Sequence, residues 1–96
     1  MYFVQINNGN LDLIREFNFL VEQHFKSKHT VAEYAELLNK SPKTLSNLFA
    51  RHKQGSPQQF ILERTIMEAR RLLHYSDKTI KEIAYELGYR EVASFH

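Results

Sequence analysis

The sequence predicts an all-α fold in which two short helical units are joined by one long helix. Three observations favour this fold. The 96 residues include only three glycines and two prolines, so few positions interrupt a helix. Apolar residues recur at helical spacing along most of the chain. A stretch in the first half is repeated, position for position, 49 residues later.

Residues 1–10 are predicted to be a linker or tail, because they end in the breaker cluster Asn7-Asn8-Gly9-Asn10. The first helix follows from Leu11 to about Phe25, where apolar residues recur at helical spacing. Residues 11–55 are predicted to form the first unit, with a central motif over about 30–51.

Two start signals define this motif. Thr30 and Glu33 have the S/T-x-x-E form of a capping box, so the second helix should begin after Thr30. Ser41-Pro42 combines a serine N-cap with proline at the first helical position and should begin the third helix. That helix should end near residues 53–55. Its inner face carries three apolar residues: Leu45, Leu48 and Phe49.

Residues 56–75 are predicted to form a linker helix. Ser56-Pro57 supplies its start signal, and Gln59 is expected to complete a capping box. The stretch from 57 to 74 would be about 27 Å long at 1.5 Å per residue. Apolar surface is expected near both ends, from Phe60, Ile61, Ile66, Ala69, Leu72 and Leu73. Ion pairs within the helix are expected among Glu63, Arg64, Glu68, Arg70 and Arg71.

Residues 76–96 are predicted to be the second unit. Thr79 and Glu82 repeat the capping box. The turn residue is Asn39 in the first copy and Gly88 in the second, and both residue types tolerate the left-handed backbone that ends a helix. Four apolar positions match in the two copies: Val31, Tyr34, Ala35 and Leu38 with Ile80, Ile83, Ala84 and Leu87. A short helix, a tight turn and a second capped helix form the helix-turn-helix pattern, whose second helix enters the major groove of DNA.

The outer face of the third helix suits the reading of bases. It carries Lys43, Ser46, Asn47 and Ala50 at helical spacing. Lysine can donate to guanine, asparagine can pair with adenine, serine can bond either way, and alanine can touch the thymine methyl. Taken alone, such a stripe is more often a solvated helix face. Contacts to DNA phosphates are expected from side chains near helix ends: Thr30, Lys40, Ser41, Thr44, Arg51, Lys53 and Thr79.

The linker helix predicts a spacing between the two reading helices. Its length of about 27 Å, with the half-widths of two units, would hold them about one turn of DNA, roughly 34 Å, apart. The formal charge of +2 and the isoelectric point of about 9.0 permit nucleic-acid binding without requiring it.

The composition argues against several other classes of protein. There is no cysteine, hence no disulfide framework and no thiolate nucleophile. The five histidines lack metal-site spacing, and no glycine-rich phosphate loop or nucleophile with a base is present. We therefore expect no enzyme activity, no metal and no cofactor. No apolar stretch is long enough to span a membrane, and Met1–Val4 does not resemble a signal peptide, so a cytoplasmic chain is expected.

Four segments resemble the DNA-binding domain of AraC/XylS-family bacterial transcription regulators. They are Leu20–Phe25, Tyr34–Leu38, Ser56–Phe60 and Ile80–Tyr89. The resemblance covers about Leu11 to His96 and implies a homeodomain-like, all-helical fold with two helix-turn-helix subdomains on a shared linker helix. It also implies binding to double-stranded DNA and regulation of transcription, usually activation through contact with RNA polymerase. Family members often carry a ligand-binding or dimerisation domain, which would lie outside this chain.

The resemblance places base-reading positions on Lys43, Ser46 and Asn47. In the second unit it places them on Val92, Ala93 and His96. There the sequence departs from the family pattern, because Glu91-Val92 stands where the family has aspartate-proline. The chain also stops at His96, before the family's last helix, so we expect a monomeric fragment with an incomplete second unit. The alternative function is a helical protein-interaction module without DNA binding, which the incomplete unit and the modest net charge favour.

Overall fold

Five helices make up the part of the chain that the computed structural model describes, residues 9–89. They are α1 (Gly9–His24), α2 (Val31–Leu37), α3 (Pro42–Arg51), α4 (Pro57–Tyr75) and α5 (Ile80–Glu86). Residues 9–89 contain no strand, which confirms the predicted all-α class. The predicted tail up to residue 8 and the positions Val92, Ala93 and His96 lie outside the described residues.

The start of α1 differs from the prediction. The helix begins at Gly9, two residues before the predicted start at Leu11. Gly9-Asn10 therefore does not act as a breaker. The first N–H groups of a helix have no partner within the helix, so glycine and asparagine are tolerated at these positions.

Both predicted capping boxes form. The Thr30 side chain accepts a hydrogen bond from the backbone N–H of Glu33 at 3.2 Å, and the Glu33 carboxylate accepts from the Thr30 N–H at 3.0 Å. Thr79 and Glu82 repeat this arrangement at 3.1 and 2.8 Å. Each box satisfies backbone donors that the first turn of a helix leaves unpaired.

The capping box predicted at Ser56 is only half formed. The Ser56 hydroxyl accepts from the backbone N–H of Gln59 at 3.1 Å, as an N-cap should. The Gln59 side chain does not return to Ser56. It donates to the Glu63 carboxylate one turn further along, at 3.2 Å, because a charged acceptor is the stronger partner.

The turns after α2 and α5 share one geometry. Asn39 and Gly88 both adopt the left-handed backbone conformation, with φ of 58° and 95°. In each turn the next residue donates its N–H to the carbonyl of the central alanine of the preceding helix, at 2.9 Å; the pairs are Lys40 with Ala35 and Tyr89 with Ala84. The sequence repeat is therefore a structural repeat as far as Tyr89.

Phe17 of α1 lies at the centre of the core and is fully buried. Its ring centroid lies 5.5 Å from that of Tyr34, 5.1 Å from that of Phe49 and 6.0 Å from that of Phe60. The first two contacts have edge-to-face geometry, which favours aromatic pairs. These three rings belong to α2, α3 and α4, so one side chain contacts three other helices.

Part of the predicted apolar surface of α4 is buried and part is exposed. Ile61, Ala69 and Leu72 are buried, whereas Ile66 is 40% exposed and Leu73 is 52% exposed. The whole buried face of the helix consists of Pro57, Ile61, Thr65, Glu68, Ala69 and Leu72.

Two arginines of α4 make bidentate ion pairs. Arg71 donates to both carboxylate oxygens of Glu68, at 3.1 and 2.6 Å, which confirms the expectation of ion pairs within the helix. Arg64 reaches further and donates to both oxygens of Glu22 in α1, at 2.8 and 2.9 Å. Its guanidinium also lies 4.2 Å from the centre of the Phe25 ring. Arg64 therefore joins α1 to α4.

We expect Phe17→Ala to lower the free energy of unfolding by about 3–5 kcal/mol, because it leaves a cavity where four helices meet. Urea denaturation followed by circular dichroism measures the change. The matched control is Phe19→Ala on the same helix, where the side chain is 62% exposed. The control should stay within about 0.5 kcal/mol of the original chain. Equal losses in the two variants would contradict the central role of Phe17.

Glu68 should make stability depend on pH. Hydrogen bonds from Arg71 hold the pKa of the Glu68 carboxyl below its ordinary value of 4.5, against the opposing effect of burial. Because the pKa of Glu68 is lower in the folded state than in the unfolded state, ionised Glu68 stabilises the fold above about pH 4.5. This stabilisation is lost as the pH falls below that value. Glu68→Gln should therefore destabilise the chain more at neutral pH than at strongly acidic pH, in urea denaturation at each pH. A loss of unfolding free energy that is the same at every pH would contradict this prediction.

Candidate nucleic-acid interface

The first turn of α3 presents two hydroxyl groups. Ser41 caps the helix by accepting from the Thr44 N–H at 3.1 Å, and Pro42 occupies the first helical position. The Ser41 and Thr44 hydroxyls lie 2.9 Å apart, so one of them donates to the other. The second hydroxyl keeps its hydrogen for another acceptor. A helix N-terminus also attracts anions, so this turn suits a phosphate oxygen.

The inner face of α3 is the predicted one. Leu45, Leu48 and Phe49 are at most 4% exposed, and they fix the rotation of the helix against α1, α2 and α4. The predicted base-reading stripe is the opposite face, and all four of its side chains are exposed: Lys43, Ser46, Asn47 and Ala50. Within residues 9–89, the three polar members form no hydrogen bond or ion pair through their side chains, so they are available to a ligand.

A groove of about 260 Å³ runs along one edge of this stripe. It brings Asn47 together with three of the residues predicted to contact phosphates: Lys40, Thr44 and Arg51. Leu48 and Leu13 supply its apolar side. The sequence did not predict the part played by Leu13, because that residue reaches the groove only through the packing of α1 against α3.

Positive charge is concentrated around α3. Residues 37–62 contain Lys40, Lys43, Arg51 and Lys53 and no aspartate or glutamate. Since the whole chain has a formal charge of +2, the remainder of the chain carries −2. The modest net charge therefore hides one strongly basic segment. Phosphate binding depends on such a local concentration of cations.

The end of α3 is formed by Lys53, which adopts a left-handed conformation with φ of 56°. The N–H of Gln54 then donates to the carbonyl of Phe49 at 2.8 Å, and the N–H of Lys53 donates to that of Ala50 at 3.1 Å. This turn ends the helix after Arg51. It leaves the Lys53 side chain exposed just beyond α3.

The threonine hydroxyl at the start of α2 already has partners. Thr30 donates it to the Glu33 carboxylate at 3.1 Å and accepts from the Glu33 N–H. The same carboxylate also accepts from the His29 N–H at 2.9 Å, so its negative charge occupies the helix N-terminus. This leaves Thr30 less available to a phosphate than Ser41 and Thr44. Thr79 lies in the equivalent box with Glu82.

The second unit is described as far as α5 and its turn. Ile83, Ala84 and Leu87 are buried, as the repeat predicts. Ile80, by contrast, is 59% exposed, whereas its counterpart Val31 is half-buried against the core. The base-reading residues predicted for this unit follow after Tyr89 and lie outside the described residues.

No three histidine, aspartate or glutamate side chains come together within residues 9–89 in a way that would hold a metal ion. None of the described helices combines the length and the apolar character needed to cross a membrane.

Comparison with known proteins identifies the family. A family model described as "Helix-turn-helix domain" matches residues 34–96, well over half of the chain. The chain belongs to the AraC-type helix-turn-helix family. The AraC-type match begins in α2 and includes both left-handed turns, α3 and all of α4 and α5. The recognition made from the four sequence segments is thereby confirmed.

The relatives of this AraC-type chain include proteins named HTH-type transcriptional activator RhaS. The protein of Salmonella schwarzengrund (strain CVM19633) is 31% identical over 75 residues, which cover 78% of this chain and 27% of that protein. The protein of Salmonella arizonae has the same identity and coverage. The chain thus spans about a quarter of the length of these curated relatives. No solved structure matches it. The family consists of DNA-binding transcription regulators and is not a class of enzymes.

Proposed function

We propose that this chain binds double-stranded DNA in a sequence-specific manner as part of a bacterial transcription regulator. The observation that carries the proposal is the outer face of α3. Its polar side chains are exposed and unpaired within residues 9–89, the surrounding segment 37–62 has four cations and no acid, and three buried apolar residues hold the helix in place. Membership of the AraC-type family supports it.

In the first unit, bases are read by Lys43, Ser46, Asn47 and Ala50. Their alignment along one side of α3 matches the way a reading helix presents side chains to the major groove. Phosphate contacts come from the groove beside this stripe and from both ends of α3, through Lys40, Ser41, Thr44, Arg51 and Lys53. Thr30 and Thr79 remain predicted phosphate contacts.

The finer part of the proposal is that the chain reads two adjacent major grooves. The repeated capping box and turn support it, because they begin the second unit in the geometry of the first. The length of α4 also supports it, since its 19 residues span about 28 Å, close to one turn of DNA once the half-widths of both units are added. Val92, Ala93 and His96 are the proposed base-reading residues of the second unit.

The regulatory role of the whole protein belongs to the same proposal. The relatives are named transcriptional activators, so we propose that the protein activates transcription through contact with RNA polymerase. The ligand-binding or dimerisation domain that accompanies many family members remains a prediction about sequence outside this chain.

The structure offers little surface to the alternative function, a protein-interaction module that uses α1. Ile14, Phe17, Val21 and Phe25 of this segment are buried in the core, so their apolar side chains are not available to a partner. Exposed apolar side chains that a partner would contact are more numerous on α4, which carries Leu62, Ile66, Met67 and Leu73, than on α1, where Leu11 and Phe19 are exposed. Loss of a partner on mutation of these residues, with DNA binding absent, would favour the alternative.

We expect Asn47→Ala to cost about 1–3 kcal/mol of binding free energy and to relax the preference at one base position. Selection from random duplexes, followed by binding measurements on single-base variants of the selected site, tests this. Gln58→Ala is the control, because Gln58 is an exposed amide on α4 and not on the reading helix. A uniform loss across all sequences would show that Asn47 contacts the backbone and not a base.

The salt dependence of binding should separate the two kinds of contact. Lys53→Ala removes one phosphate contact, so the slope of log K against log salt should become shallower by about 1. Asn47→Ala should leave that slope unchanged, because it removes no charge. Mobility-shift titrations at several salt concentrations provide the slopes. A salt response that is flat in the original chain would contradict phosphate binding altogether.

A further inference from the structure

The turn between α1 and α2 lies directly against the turn that follows α5. The His29 ring donates a hydrogen bond from Nε2 to the backbone oxygen of Leu87 at 2.9 Å. A carbonyl oxygen only accepts, so Nε2 carries the hydrogen. The same ring stacks on Tyr89, with the centroids 4.2 Å apart and the planes 19° from parallel. The His29 ring of the first unit thus contacts the second unit both through a nitrogen at its edge and through its face.

Gly88 is the residue that permits this close approach. A Cβ atom at this position would lie 2.2 Å from the backbone oxygen of Lys26 and 2.7 Å from Cε1 of His29, and φ is 95°. The equivalent residue of the first unit is Asn39, whose φ of 58° lies in the left-handed region that asparagine tolerates. At Gly88 the φ of 95° disfavours any residue with a side chain, and the contact between the two turns leaves no room for a Cβ atom. The backbone and the contact therefore both call for glycine at this position.

Tyr89 connects the same contact to the linker helix. Burial raises the pKa of its hydroxyl, and a hydrogen bond with Thr65 opposes that effect. Thr65 is buried in α4. The Tyr89 side chain is therefore held between the His29 ring and the middle of α4. Its counterpart in the first unit is Lys40, which lines the groove beside α3 instead.

Within residues 9–89, the second unit is attached to α4 and to the turn between α1 and α2. Among the helices, α5 packs against α4 alone, and Tyr89 also forms a hydrogen bond with Thr65 of α4. The attachment to the first unit is the contact between the turns, with Lys26 3.7 Å from the Glu86 carboxylate at its edge. A second point of attachment limits the rotation of α5 about its contact with α4.

We propose that His29, Gly88 and Tyr89 form an orientation lock that fixes the second unit at one angle to the first. His29 is then a positioning residue for the reading of two grooves: it touches no DNA and sets the distance and angle between the two reading helices. This role rests on the proposed two-groove function. The lock itself does not, because it is a property of the free protein.

The lock is tested in the absence of DNA by a distance measurement. The chain has no cysteine, so Glu36→Cys in α2 and Lys81→Cys in α5, both exposed, place one spin label on each unit. Double electron–electron resonance should give one narrow distance distribution. His29→Ala and Gly88→Ala should broaden it, while His74→Ala, an exposed histidine of α4, should not. Circular dichroism of each variant shows whether the helices are retained.

The positioning role is tested with duplexes that carry the two selected half-sites at separations changed in steps of one base pair. The original chain should bind best at one separation. His29→Ala should flatten this profile and keep the original affinity for a duplex with the first half-site alone. A distribution that stays narrow in His29→Ala would overturn the lock, and a broadened distribution with an unchanged profile would overturn the positioning role. If the original chain shows no preferred separation, two-groove reading fails and the positioning role with it, while the distance measurement still decides the lock.

Discussion

The packing of the buried Phe17 ring is the interaction on which the rest of the first unit depends. Its neighbours Tyr34, Phe49 and Phe60 come from three different helices, so the position of each helix is set relative to the same ring. Phe49 is part of the inner face of α3, and the rotation of α3 decides which side chains face outward. The exposure of the proposed base-reading stripe is therefore a consequence of the core: the exposure of Asn47 follows from the burial of Phe49.

Features set by neighbouring residues were predictable from the sequence, and features set by packing were not. The capping boxes at Thr30 and Thr79 involve residues three positions apart, so the pattern alone identified them. The groove contact of Leu13 and the pairing of Arg64 with Glu22 depend on how α1 lies against other helices, which no local pattern encodes. The same limit explains Ile66 and Leu73: their spacing is helical, but spacing does not reveal which side of α4 the first unit covers.

The local distribution of charge along the chain is more informative than the net charge. A formal charge of +2 is unremarkable for a DNA-binding protein, and it understates the segment 37–62, whose four cations face no acid within that stretch. The acidic residues of the first unit lie outside this segment. Glu33 closes the N-terminus of α2, and Glu22 holds Arg64 against Phe25. These acids stabilise the start of α2 and the contact of α1 with α4, so no acid within the segment 37–62 offsets the positive charge around α3.

The two units also show how one repeated turn serves two purposes. Positions 39–40 and 88–89 have the same backbone hydrogen bonds, yet their side chains differ. In the first unit Asn39 is followed by Lys40, which faces the groove beside the reading helix. In the second unit Gly88 admits the backbone of Lys26, and Tyr89 stacks on His29. Since the backbone is shared, the difference lies in the side chains: Lys40 is a proposed phosphate contact, whereas Gly88 and Tyr89 contact the first unit.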